Sequence, residues 1–319
     1  MIAASPLNGI DRPRHAADHD VIIIGGSFAG VSAAMQLARA RRRVLLVDGG
    51  QPRNRFVENA HGFLGQDGRP PREIIGTALA QLSAYPTFGF VAGQALQARK
   101  NGDFFEIDLG EKGTVRGRRL ILATGVGDDL PEIAGMRERW GLSIFSCPYC
   151  HGYEVADRRL GVIANHPMSA HQAVLVSDWG PTVYFTQGRF EPDEELLPLF
   201  RTRKIEVERS PIVEIIGSGT AVEAVRSAHG LTVPVEAIFT APQTYLTSPL
   251  AEQLGCRIED GPLGPLIGVD DQKRTSIEGV FAAGDVTSMM ANATLASAGG
   301  VMAGVSAHRS LVFDSGAHG

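Results

Sequence analysis

The sequence predicts an α/β protein built on two Rossmann-like, three-layer nucleotide-binding domains. Three observations carry this. A βαβ unit with a glycine turn opens the chain. A second unit of the same pattern lies near the middle. Two further buried strands, each ending in a glycine turn, stand on either side of that second unit, within residues 119–125 and 275–286.

The first unit is "DVIIIGGSFAGVSAAMQLARARRRVLLVDGG", residues 20–50. Residues 21–24 form a β-branched run, the mark of a strand buried on both faces. A helix is expected from Phe28, with Val31, Ala34, Met35 and Ala38 on one face. A second strand, 44–47, ends at Asp48. The turn Gly25-Gly26-Ser27-Phe28-Ala29-Gly30 approximates G-x-G-x-x-G. Gly25 permits the tight bend and Gly30 lets helix close on strand, and a pyrophosphate would rest on the free N–H groups of the helix start. Ser27 replaces the middle glycine with a small side chain that can donate. Asp48 stands where a carboxylate accepts from a ribose.

The segment "RLILATG" (119–125) reads as a third buried strand. A fourth, 280–283 in "TSIEGVFAAGDV", ends at Gly284-Asp285 before an Ala- and Gly-rich helix. Asp285 suits either the cap of that helix or a sugar-alcohol hydroxyl. The second unit has strands Leu160–Ile163 and Thr182–Phe185 with a helix from about Met168 between them. Its turn, Ala164-Asn165-His166-Pro167-Met168-Ser169, contains no glycine. Pro167 removes a donor and Met168 adds bulk. After the second strand come Thr186-Gln187-Gly188, with Arg189 as the lone cation. The frame of a nucleotide site is present and its cradle is missing.

The 319 residues suffice for two domains, and 44% hydrophobic with 20% charged residues supports a buried core rather than bulk disorder. A net charge of −5 gives no general attraction to nucleic acid or to an anionic membrane. Residues 1–18 read as a flexible polar arm. No apolar run is long enough for a signal peptide or a transmembrane helix, so a cytoplasmic protein is expected. Three cysteines are too few for a disulfide scaffold. Cys256 reads as an ordinary buried cysteine. The other two sit in "CPYCHGYE" (147–154), where C-x-x-C suits a haem c attachment, half a zinc site or a redox disulfide.

The order of these parts resembles the low-molecular-weight thioredoxin reductase family: an amino-terminal glycine turn, an A-T-G turn at Ala123-Thr124-Gly125, C-x-x-C, and G-V-F-A-A-G-D from Gly279 to Asp285. "GGQ" at 49–51 and "VEN" at 57–59 match as well, so the likeness spans about residues 20–312. It implies FAD, a homodimer, and a second domain (128–243) inserted into the first (1–127 and 244–319). It also implies that Gly284 and Asp285 hold the ribityl chain. Gly49, Gln51, Asn59, the Val91 backbone, Thr124 and Gly125 would line the cofactor. Ala293 and Thr294 would face the flavin ring, where the family has R-Q-A.

A structural zinc needs four ligands, and Cys147, Cys150 and His151 give three, two of them adjacent. Haem c is attached after export, and no leader-like run precedes the motif. The expectation is therefore no metal, and a redox disulfide beside a flavin. Pro148 restrains the loop, and a helix starting near Cys150 would lower that thiol's pKa. By resemblance, Cys150 faces the flavin and Cys147 exchanges with substrate. His151 stands where the family has Asp. It suits a proton shuttle, its other reading being a solvent-facing histidine. C-x-x-C-H-G resembles the branch that includes dithiol oxidases of disulfide-containing natural products. The expected function is FAD-dependent oxidation of a dithiol, small molecule or small redox protein, with oxygen as acceptor. A reductase of thioredoxin or a similar disulfide, fed by NADPH or another donor, and a non-catalytic flavin redox sensor are the alternatives.

Overall fold

The computed structural model describes residues 18–313, so all of the expected arm except Asp18 lies outside the described residues. The chain opens with β1 (His19–Ile24), α1 (Phe28–Arg39), β2 (Val44–Asp48), α2 (Pro71–Leu82) and β3 (Phe88–Ala92). Then come β4 (Gln97–Asn101), β5 (Phe104–Asp108) and β6 (Thr114–Leu122). Strand β7 (Val126–Asp129) leads away from this group.

The middle of the chain holds β8 (Ile144–Phe145), α3 (Pro148–His151), β9 (Leu160–Ile163), α4 (Ser169–Val176), β10 (Thr182–Phe185), α5 (Leu197–Thr202) and β11 (Glu206–Glu208). It continues with β12 (Ile212–Ile216), β13 (Ala224–Ser227), β14 (Thr232–Pro234) and β15 (Ala237–Phe239). The chain returns through β16 (Gln243–Leu246), which pairs antiparallel with β7. It closes with α6 (Leu250–Gln253), the hairpin of β17 (Ile258–Gly261) and β18 (Gly264–Ile267), β19 (Val280–Ala282) and α7 (Ala293–Phe313).

The first sheet has seven strands in the order β3-β2-β1-β6-β5-β4, with β19 also paired to β6. Strands β3, β2, β1, β6 and β19 are mutually parallel. Successive residues of the central strands face opposite sides, and both sides are buried. Val21, Ile23, Leu46, Ile121 and Phe281 pack under α1 and α7. Ile22, Leu45, Leu120 and Val280 pack against Phe105, Ile107 and Leu250. This is why the run at 21–24 shows no alternation.

The second sheet, β11-β10-β9-β15-β8, is wholly parallel. One face packs on α4 and α5 through Leu160, Val162, Tyr184, Ala173 and Phe200. The other is covered by an antiparallel sheet, β12-β13-β14, through Ile212, Ile215 and Val225. That outer β layer and the β4–β5 hairpin carry no glycine-turn signature and were not anticipated. Among the described residues no helix is long and apolar enough to cross a membrane.

Helix α7 approaches α1 closely because it presents glycines. A Cβ on Gly300 would lie 2.0 Å from the Ala29 carbonyl oxygen. One on Gly299 would meet nothing nearer than 3.7 Å. Gly300→Ala should therefore destabilise the fold by about 1–3 kcal/mol, as overpacking does. Gly299→Ala should be neutral or stabilise by up to about 1 kcal/mol. Chemical denaturation of the two variants checks this; equal midpoints would contradict the close approach.

Candidate active site

Parallel strands bring the expected cofactor residues to one edge. Ile24 lies opposite both Val47 and Leu122, and Leu122 lies opposite Ala282. The turns after β1, β2, β6 and β19 therefore emerge side by side at the carboxyl ends, where open α/β sheets bind ligands. The first turn is tight for stated reasons. Gly25 has φ 108°, and a Cβ there would sit 2.1 Å from Ala123 O. A Cβ on Gly30 would sit 1.8 Å from Gly25 O. The Gly26 N–H donates to Asp48 Oδ1 at 3.0 Å, fixing the carboxylate beside the turn. Ser27 is the N-cap of α1, yet its hydroxyl makes no capping bond. The first-turn N–H groups of α1, from Phe28, Ala29 and Gly30, are thus left to an anion. Gly284, φ 87°, packs its turn on Ala29, which sets Asp285 beside that helix start. An open anion cradle, a ribose carboxylate at Asp48 and a second carboxylate at Asp285 fit a dinucleotide such as FAD.

Other expected lining residues are less engaged. Gln51, Gly49 and Thr294 are exposed. Thr124 offers its carbonyl to the Thr247 hydroxyl at 3.0 Å, and Gly125 turns with φ 66°. Val91 lies on the edge strand opposite Val47, with its side chain against the core. Asn59 is turned into its own loop, its amide set to donate to Glu58 O and Gly68 O at 3.1 and 3.3 Å. Ala293 and Thr294 form the first turn of α7, capped by Asn292 Oδ1, which accepts from Thr294 N at 2.8 Å. Asp285 caps no part of α7; its Oδ2 accepts from Arg53 Nη1 at 3.2 Å.

The corresponding turn of the second unit is closed by its own side chains. Ser169 Oγ accepts from the N–H groups of Asn165 and His166, both at 3.2 Å, and His166 Nδ1 accepts from Met168 N at 3.1 Å. Beyond β10, Thr186 is fully buried and its hydroxyl accepts from Gly188 N, while the Arg189 guanidinium lies 5.5 Å from the Phe190 ring centroid.

Cys147 and Cys150 are joined as a disulfide, Cα–Cα 5.4 Å, at the carboxyl end of β8. The helix begins at Pro148 rather than near Cys150, because proline is pre-set for the first helical position. Cys147 is therefore the N-cap and Cys150 is the third residue of a four-residue helix, still within its first turn, where the N-terminal dipole acts. Gly152 backs onto Trp179, where a Cβ would come within 2.6 Å. Tyr149, 67% exposed, meets Trp179 edge-on at 5.8 Å.

His151 is not a solvent-facing ring. It stacks on Phe145 at 4.5 Å and meets His61 edge-on at 6.2 Å. His61 comes from the loop between β2 and α2 and lies 3.4 Å from Glu154 Oε1. Burial pushes the His151 pKa down to about 4; Glu154 opposes this and His61 adds to it. Cys256 is free and buried as expected, its thiol pushed up by burial, 3.7 Å from Thr275 Oγ1. No group of three or more metal-ligating side chains occurs among the described residues.

Arg53, Asp128, His61, Phe145 and Trp179 escaped the sequence reading. Arg53 and His61 had local signals, each two residues beyond a matched segment, "GGQ" and "VEN". An open depression of about 470 Å³ lined by Leu142, Ser143, Arg158 and Glu236 lies at the amino ends of β8, β9 and β15, away from these groups.

Comparison with known proteins gives a consistent picture. Residues 19–300 match the family described as pyridine nucleotide-disulphide oxidoreductase. A thioredoxin reductase of Claviceps purpurea, tcpT, is 32% identical over 308 residues, which is 92% of this chain and 95% of that one. The crystal structure of an oxidoreductase from Agrobacterium tumefaciens is 47% identical with a TM-score of 0.88, covering 92% of this chain and 99% of that one. The crystal structure of HlmI is 33% identical with a TM-score of 0.87, covering 97% and 96%. The purified protein should carry FAD, and Gly26→Val, whose side chain would collide with Asp48, should lose it while keeping its far-UV dichroism. The flavin-to-protein absorbance ratio decides; an undiminished ratio would reject the assigned turn.

Proposed function

Because the chain belongs to the pyridine nucleotide-disulphide oxidoreductase family and is a flavin disulfide oxidoreductase of thioredoxin reductase type, we propose that it oxidises a dithiol to a disulfide, with oxygen as the final acceptor. The observation that carries this direction of flow is the second nucleotide turn. Its N–H groups at Asn165, His166 and Met168 already have side-chain acceptors. A pyrophosphate would have to displace them, with Pro167 offering no donor and no cluster of cations for a 2′-phosphate. Electrons from NADPH lose their anchor there, whereas a dithiol needs only access to the disulfide.

The residues divide the work as follows. A substrate thiolate attacks Cys147 Sγ, the Cys147–Cys150 bond breaks, a substrate–Cys147 disulfide forms and Cys150 leaves as thiolate. The second substrate thiol attacks the substrate sulfur, freeing Cys147 and releasing the oxidised product. Two electrons then rest on the cysteine pair. FAD, which the α1 start, Asp48 and Asp285 would hold, would supply the two-electron acceptor for that pair, with oxygen as the final acceptor. Exposure does not separate the cysteines, both being half-buried; their roles follow the family resemblance. His151 is neutral at pH 7 and has a free acceptor nitrogen, but burial makes it a weak acceptor, and a thiolate formed beside it would strengthen its hold on a proton.

Anaerobic mixing separates the readings. A dithiol should bleach the flavin and oxygen should restore it with peroxide formed, while NADPH should leave it oxidised. Fast, saturable reduction by micromolar NADPH would replace this proposal with the reductase.

His151 gives a second test. His151→Phe keeps a ring against Phe145 but no acceptor, so turnover should fall about 100- to 10,000-fold with little change in melting. A loss under about three-fold would remove His151 from the chemistry. The sign of its pH effect is fixed by the lowered pKa. Between about 6.5 and 4 the unfolded chain binds a proton that the folded ring does not, so the fold loses stability as pH falls through that window. His151→Phe should flatten the loss there, which thermal melts from pH 4 to 7 would measure.

A further inference from the structure

We infer that Arg53 is a cofactor-positioning residue that links occupancy of the cofactor cradle to β7, the strand through which the chain passes into the second unit. Arg53 opens a short 3-10 turn just beyond Gly49, at the carboxyl end of β2. Its Nε donates to both carboxylate oxygens of Asp128, each at 3.1 Å, and Nη2 adds a bond to Asp128 Oδ1 at 2.5 Å. Its Nη1 reaches the other way, to Asp285 Oδ2 at 3.2 Å. One planar guanidinium thus joins two carboxylates on different parts of the fold, a span that a lysine's single ammonium does not reproduce.

The two carboxylates are not equivalent. Asp128 takes the bidentate grip; its side chain is 9% exposed, and on β7 it lies opposite Thr244 of β16. Asp285 receives one longer bond, and burial raises its carboxyl pKa against the lowering effect of Arg53. It therefore keeps acceptor capacity beside the cradle, and hydroxyl donors from a bound ligand would complete it. Burying two acids on one base is a poor device for stability alone. The arrangement is accounted for if Arg53 keeps Asp285 ionised and aimed until the cofactor arrives. A ligand that fixes Asp285 then also fixes Arg53, Asp128 and β7. By linkage, the factor by which a bound cofactor favours the Arg53–Asp128 pair is the factor by which that pair favours the cofactor.

This inference is independent of the direction of electron flow and stands or falls apart from the dithiol proposal. The experiment uses the holoenzyme. FAD release after dilution is followed by the rise of flavin fluorescence in the parent and in Arg53→Met, Arg53→Lys and Asp128→Asn. Arg53→Met should release FAD at least about 5-fold faster, the lower end of ordinary coupling. Arg53→Lys should fall between it and the parent. Asp128→Asn should also speed release, and the double variant Arg53→Met/Asp128→Asn should be no faster than Arg53→Met alone, since both act through one network. Hydrogen exchange of residues 126–129 adds a readout that plain loss of stability would not move: excess FAD should slow it in the parent and not in Arg53→Met. Parent-like release from Asp128→Asn, multiplying rather than saturating effects, or FAD-dependent protection that survives in Arg53→Met would each overturn the inference. Should Arg53→Met fail to fold, Arg53→Lys and Asp128→Asn decide by the same criteria.

Discussion

The site depends on one short ladder. Val280 lies opposite Leu120, Phe281 opposite Ile121 and Ala282 opposite Leu122, and the bond from Ala283 N to Leu122 O extends the pairing. These residues join the last part of the chain to a sheet begun at its start, with the whole second unit looped out between. Closing so long a loop costs only logarithmically more than closing a short one, and burial of Val280, Phe281 and Ala282 at 2% exposure or less offsets it. The consequence is positional. The ladder delivers Gly284 onto Ala29 and Asp285 onto Arg53. It also sets α7 against α1, where Gly300 and Gly304 leave room for the Ala29 and Ala33 backbones.

The two parallel sheets show how far one topology can diverge in chemistry. Both present a strand, a turn and a helix start at the carboxyl edge. In the first, glycines bring the backbone close and the capping serine leaves the N–H groups of the helix open. In the second, a serine one turn further on and a histidine bend back onto the same kind of N–H groups. The hydrophobic faces of β9, β10 and α4 remain fully packed around Leu160, Val162 and Tyr184. A nucleotide turn is a surface feature, so its closure leaves the core unchanged, and the unit is kept as a rigid platform for the disulfide at the end of β8.

What the sequence revealed follows from range. The strands at 21–24, 44–47, 160–163 and 182–185 were legible because a strand buried on both faces is written as an unbroken apolar run. The glycine turn was legible because its backbone geometry leaves almost no alternative residue. The closure of the second turn was half legible: missing glycines and Pro167 showed the lost cradle, while Ser169 and His166 as its plugs required coordinates. The β4–β5 hairpin and the β12–β14 layer were missed, since their strands, QARKN, FFEID, IVEII, AVRS and TVP, are not unbroken apolar runs ending in a glycine turn. Arg53 with Asp128 and Asp285, and His61 with His151, were illegible because partners drawn from distant segments leave no periodic trace. The helix expected near Cys150 starts two residues earlier for a local reason, the preference of Pro148 for a first helical position.

His151 shows why those distant partners matter to the chemistry. Its ring is low in proton affinity chiefly because Phe145 and the surrounding chain exclude water, and His61 adds to that while Glu154 works against it. Glu154 in turn lies against His61. The imidazole next to Cys150 is thus tuned by a ring from a distant segment, the loop between β2 and α2. Packing against Phe145 and the approach of His61 together set the proton affinity of this imidazole.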